Sequence, residues 1–230
     1  MMLIATSVAV ALFASTASTA FAAGAKSPAP SSAIPPTIVN VTATPDVSSS
    51  LVARILAEAD AIWRPSGVTF VWQRAARVVV PYSRASETGP YVPNTLRLVI
   101  GDNRGAGRDG RLPLGWILFD DVATPDQEIY LSHTNAQQMM ADARGVVGII
   151  EQMPIMQRDM LLARAMGRAL AHELGHYLLA SKVHTGRGLM KATLTAAELF
   201  SHDSDRLRID PAQRRVIGAR LRGEPLVASR

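Results

Sequence analysis

The residues best suited to chemistry lie in one short stretch, Ala171-His172-Glu173-Leu174-Gly175-His176, an H-E-x-x-H pattern. Residues four apart on a helix lie one turn apart on the same face, so both imidazoles can point at a single cation. Neutral imidazole is a good zinc ligand, and two rigidly placed ligands are more than half of a catalytic site. Glu173 stands next to the first histidine, within reach of a metal-bound water. Zinc lowers the pKa of such a water, and a carboxylate there can take its proton and later deliver it to a leaving amine. A chance H-E-x-x-H arises in under about 1% of chains of this length and composition, so context must add weight.

A catalytic zinc needs a third protein ligand and an open position. His184 is the nearest donor, eight residues past His176. At that distance the helix must stop and the chain must double back, and the polar pair Ser181-Lys182 is where it would end. Glu198 is the alternative, twenty-two residues past His176 in a short helix predicted over 195–200. It would be a carboxylate ligand from a later helix, as in thermolysin-type enzymes. His184 is the preferred third ligand. His202, Asp203 and Asp205 are weaker candidates from a polar loop, and His133 and His202 read as surface or hydrogen-bonding residues.

The elements that must position these groups follow from periodicity. Leu162, Ala165, Met166 and Ala169 form an apolar stripe leading into the motif, which predicts a helix over about 159–180 with Arg158 and Asp159 at its start. Upstream, residues 37–43 alternate like a strand, and Leu51, Ile55, Ala59 and Ile62 place a helix over 47–63. Pro65-Ser66-Gly67 ends that helix, and residues 68–73 read as a second strand. Residues 81–94 read as a loop. Further strands are predicted over 96–100, 116–119 and 128–132, and a last helix follows Asp210-Pro211. The order is α+β in a single domain. Gly105-Ala106-Gly107-Arg108-Asp109-Gly110 fits G-x-G-x-x-G, but a turn and strand follow it instead of the helix that would hold a pyrophosphate, so it is a surface loop.

Composition narrows the classes. The chain has 230 residues, 48% hydrophobic and 19% charged, which excludes disordered and fibrous proteins. No cysteine is present, so disulfide frameworks, thiolate zinc sites and cysteine nucleophiles are excluded. The net charge of +5 is scattered without a long basic run, so no nucleic-acid partner is expected. Residues 3–23 carry no charge and contain Ala20-Phe21-Ala22, an A-x-A cleavage pattern. Residues 1–22 are therefore read as a signal peptide, with an uncleaved membrane anchor as the alternative. Residues 23–36 form a Pro/Ser/Ala linker, and residues 37–230 the domain. Cleavage places the protein in the periplasm or outside the cell, without stable membrane insertion.

His172-Glu173-x-x-His176, the later His184 and then Gly188-Leu189-Met190 resemble the metzincin zinc endopeptidases, particularly the matrixin-like branch and its secreted bacterial members. In that family a third histidine is followed by a methionine turn beneath the metal. The specific likeness covers residues 171–190, and the order of elements upstream is similar in outline. The sequence departs from the family's H-E-x-x-H-x-x-G-x-x-H at two points. Leu179 stands where the family has glycine, and His184 arrives two residues later than the pattern. Lys191 after Met190 also differs from the family. The resemblance implies a metzincin-like domain: a mixed twisted sheet, an N-terminal helix, an active-site helix and a small C-terminal helical subdomain. It implies Zn²⁺ on His172, His176 and His184, Glu173 as catalytic base, and Met190 below the site. The strand at 128–132 would be the sheet edge that receives a peptide or protein substrate. The expectation is a secreted zinc endopeptidase. The alternatives are a catalytically silent metal-binding protein and an envelope-associated binding protein on the same scaffold.

Overall fold

The computed structural model describes residues 34–74, 95–105 and 112–224. The first strand, β1 (Thr37–Ala43), follows the alternation of its sequence: Val39 and Val41 face the core while Ile38, Asn40 and Thr42 are half-buried. Helix α1 (Ser49–Trp63) starts where the Ser48 side chain accepts the backbone N–H of Leu51 at 3.1 Å. Leu51, Val52, Ile55, Leu56, Ala59, Ile62 and Trp63 make its buried face. A single 3₁₀ turn, Arg64–Ser66, and the left-handed Gly67 (φ 75°) stop it. Strand β2 (Phe70–Arg74) then runs parallel to β1.

Strand β3 (Thr95–Gly101) pairs in parallel with the other flank of β1, Ile38 opposite Thr95. Two more strands follow, β4 (Gly115–Phe119) and β5 (Pro125–Ser132). The five strands form one mixed sheet in the order β2-β1-β3-β5-β4, with only β4 antiparallel. Its buried residues, including Leu96, Leu98, Ile100, Ile129 and Leu131, join those of α1 and the long helix in one hydrophobic cluster. This is the expected α+β layout. The elements described fall within one contact unit, Ala33–Arg230.

The edge of the sheet is not where the sequence reading puts it. β5, expected at the edge over 128–132, is an interior strand flanked by β3 and β4, and Ile129 and Leu131 are fully buried. The reason is the short turn over Asp120–Thr124, where the N–H of Asp120 bonds the Thr124 carbonyl at 3.0 Å. A turn that tight forces neighbouring antiparallel strands. With β5 parallel to β3 on its other side, β4 takes the outer position.

After β5 the chain forms α2 (His133–Asp142), which the sequence reading misses, and a single turn, α3 (Arg144–Val147). The Ser132 side chain caps α2 by accepting the Asn135 N–H at 3.2 Å. The long helix α4 (Ile155–Leu179) begins after Pro154, four residues before the expected Asp159. Its first turn exposes Ile155 and Met156, so no apolar stripe marks it. Thr195 and Glu198 form a capping box that starts α5 (Ala196–Phe200). Asp210 and Gln213 do the same for α6 (Pro211–Leu221). The predicted loop at 81–94, the signal peptide, the linker up to residue 33 and the glycine-rich loop after Gly105 lie outside the described residues, while Ile34 of the linker packs against the core.

Candidate metal centre

Helix α4 carries His172, Glu173 and His176 and is fixed against α1 at that level. The indole N–H of Trp63 donates to the carbonyl of Ala171, beside the first histidine, at 3.1 Å. One turn earlier, a Cβ on Gly167 would lie 2.5 Å from Cβ of Glu58, so glycine lets the two helices meet. Arg168 is fully buried between them. Its Nε–H donates to Glu58 at 2.9 Å, and its Nη groups donate to the carbonyls of Glu198 and Ser201. A buried guanidinium with every face engaged resists removal of any one partner.

The motif histidines are oriented by carbonyls. His172 Nδ1–H donates to Leu189 O at 2.8 Å, and His176 Nδ1–H donates to Ser181 O at 2.6 Å. These bonds set the tautomers, so both Nε2 atoms carry lone pairs. The two Nε2 atoms stand 3.0 Å apart. Lone pairs at that distance repel each other unless a cation or proton lies between them. His184 closes the group: its ring lies 5.3 Å from that of His172 and 4.9 Å from that of His176, and the three ligand atoms lie within 4.8 Å of one another. Burial pushes the pKa of His172 down to about 4 and that of His176 downward too. The rings of the helix pair are thus neutral at neutral pH, as metal ligation needs. Three convergent imidazoles are a set that could hold a metal ion, and imidazole donors are of the kind zinc takes.

The turn that delivers His184 is written in the backbone. α4 ends at Leu179, Ala180 takes the left-handed conformation (φ 47°), and the Ser181 N–H bonds His176 O at 3.2 Å. This Schellman closure folds the Ser181 carbonyl back onto His176. The returning loop is shut by Thr185 N–H to Met190 O at 2.8 Å, and left-handed Gly188 passes the Arg208 carbonyl too closely for any side chain. Met190 is buried against Gly175, where any Cβ would collide with its sulfur. The glycine between the two motif histidines therefore makes room for the methionine expected below the site.

The Glu173 side chain is half-buried and its carboxyl group is desolvated, which raises its pKa to about 8, while the Ile117 backbone N–H pulls the other way. Gly115 of β4 allows this approach, since a Cβ there would stand 3.2 Å from Cγ of Glu173. Phe119, also on β4, sets its ring edge-on to His176 at 6.5 Å and carries Lys182 Nζ 5.0 Å above its face. The carboxyl thus lies against the edge strand, on the same turn of α4 that carries the two motif histidines.

Glu198, the alternative ligand, is outside the histidine group. Its carboxylate binds Lys191 Nζ at 2.8 and 3.0 Å and caps Thr195. His202 Nδ1 meets Arg164 at 2.8 Å, and Asp205 pairs with Arg208. His133 is buried, 3.4 Å from Asp46, so it is a hydrogen-bonding residue and not a surface one. Sequence reasoning missed Arg168, Gly115 and the carbonyls of Ser181 and Leu189. Only the glycine inside H-E-L-G-H left a visible signal. No protein-family model matches the chain, and no curated protein matches it.

Proposed function

We propose that this chain is a secreted zinc-dependent endopeptidase of metzincin-like architecture. The observation that carries the reading is the convergence of three imidazoles beside a desolvated carboxyl that faces a sheet edge. His172, His176 and His184 would hold Zn²⁺, which when bound supplies an acidified water and a positive charge for the scissile carbonyl. In its carboxylate form, which the charge of a bound Zn²⁺ would favour over the protonated one, Glu173 would take the proton from the attacking water and return it to the leaving nitrogen. The carbonyls of Leu189 and Ser181 keep the His172 and His176 rings in the ligating tautomer. Met190 fills the space under the site and keeps water out from below. β4, whose outer flank has no strand partner among the described residues, is the proposed seat of an extended peptide, bound by backbone pairing. The same reading takes residues 1–22 as a cleaved export signal and residues 37–230 as the catalytic domain.

The test compares wild type and Glu173→Gln for zinc content and for digestion of a peptide library. Stoichiometric zinc is expected in both. Hydrolysis is expected in the wild type and about 10²–10⁴-fold less in the variant, the usual contribution of a general base. Zinc without hydrolysis in the wild type would leave a silent metal-binding protein, and no zinc in either would end the reading.

A further inference from the structure

A second concavity lies beyond the metal loop and has no part in the chemistry above. It is a cleft of about 690 Å³, walled by the Thr185–Gly188 turn on one side and by the Arg206–Asp210 segment on the other. That volume is in the range of small-ligand sites, about 300–1,000 Å³. Leu207, buried, and Ile209, half-buried, contribute apolar lining.

The charges around the cleft do not cancel. Lys191 is held by Glu198 at 2.8 Å, and Arg208 is paired with Asp205. The carboxylate of Asp210 accepts the Gln213 N–H at 2.8 Å as a helix cap. Arg187 and Arg206 remain, both exposed and both without an acidic partner among the described residues. Against these two guanidinium groups the lining sets one carboxylate without a cationic partner among the described residues, Asp210, so the cleft keeps a net positive charge. A guanidinium is a planar fork of donors that matches the paired oxygens of carboxylate and phosphate.

We infer that this cleft binds an anionic ligand of carboxylate or phosphate chemistry, gripped by Arg187 and Arg206. A free phosphate compound and an acidic peptide would both meet that requirement. The cleft shares the returning loop with the proposed peptidase centre, but its test reads binding and not hydrolysis.

The experiment is equilibrium binding to the full chain as purified at about 0.15 M salt, with pyrophosphate and triglutamate as separate probes. Saturable one-to-one binding of at least one probe is expected, and the probe that binds tells phosphate from peptide carboxylate as the source. The double substitution Arg187→Ala/Arg206→Ala should weaken that binding by about tenfold or more, as expected for lost charge-assisted hydrogen bonds. Arg54→Ala, on the exposed side of α1, should leave it unchanged. All the substituted side chains are exposed, so the variants should fold, which circular dichroism checks. Lack of saturable binding by both probes, or equal binding by wild type and the double variant, would overturn the inference.

Discussion

Ala180 is where the sequence and its backbone disagree most. It is the one described residue other than glycine in the left-handed region, at φ 47°. A Cβ there costs roughly 1 kcal/mol, because it crowds the carbonyl that follows. The family pattern turns on glycine three residues after the second histidine; here the helix runs one residue further and turns on alanine. The strain persists because Ser181 must bond both ways, its N–H to the His176 carbonyl and its carbonyl to the His176 ring. Ala180→Gly should therefore stabilise the protein by about 0.5–1 kcal/mol in urea denaturation, with zinc affinity unchanged. A loss of stability would mean that the turn is not strained. Gly175→Ala should do the opposite. It drives a methyl group into the Met190 sulfur, and the cost of overpacking a core is about 1–3 kcal/mol.

Between helix α4 and the returning loop, the tie is Lys191 to Glu198. Arg168 holds the backbone of α5 to α4, the Glu198 carboxylate on α5 holds Lys191, and Lys191 follows the methionine under the histidines. Lys191 and Thr195 hold the Glu198 carboxyl down to about 2, well below its ordinary value of 4.5. A carboxylate whose pKa falls on folding adds stability above about pH 4.5 and loses it as the pH falls towards 2. The stability difference between wild type and Glu198→Ala, read by thermal melts, should be full at pH 6 and shrink over that window. A difference that is flat with pH would remove the ion pair from the account. Exchanging the charges, Lys191→Glu with Glu198→Lys, should recover part of what either change alone loses. This tie was not legible in the sequence, where Lys191 was only a departure from the family and Glu198 a rival ligand. Local signals were legible: the β1 alternation, the start of α6 at Asp210-Pro211 and the i,i+4 histidines all fell where spacing put them. α2 was hidden because its residues are mostly polar, and the first turn of α4 because its apolar residues face solvent. The partners of the histidine rings were hidden because they are backbone carbonyls, which every residue has.

Over the whole molecule, the decisive arrangement is the one that alternation cannot specify: which strand lies next to which. Hairpin pairing sends β4 to the outside, so Gly115, Ile117 and Phe119 come to the histidine face while β5 is enclosed. The sequence showed strands on both sides of that turn, but only their hydrogen-bond partners decide which is the edge. On the proposed reading the same assembly is metal-linked. The Nε2 atoms of His172 and His176 face each other at 3.0 Å, a spacing that a bound cation would relieve of lone-pair repulsion. At a zinc concentration 100 times its dissociation constant, binding adds about 2.7 kcal/mol, or roughly 5–10 °C in melting temperature for a domain of this size. Chelator treatment followed by calorimetry should show that drop, and an unchanged melt would mean that the histidines hold no metal. The most direct test of the central claim is a zinc titration of folded wild type, His184→Ala and Glu198→Ala, with occupancy read by metal analysis. The three-histidine centre predicts one zinc per chain in wild type and Glu198→Ala and a sharply weakened site in His184→Ala. Full occupancy in His184→Ala with loss in Glu198→Ala would contradict it.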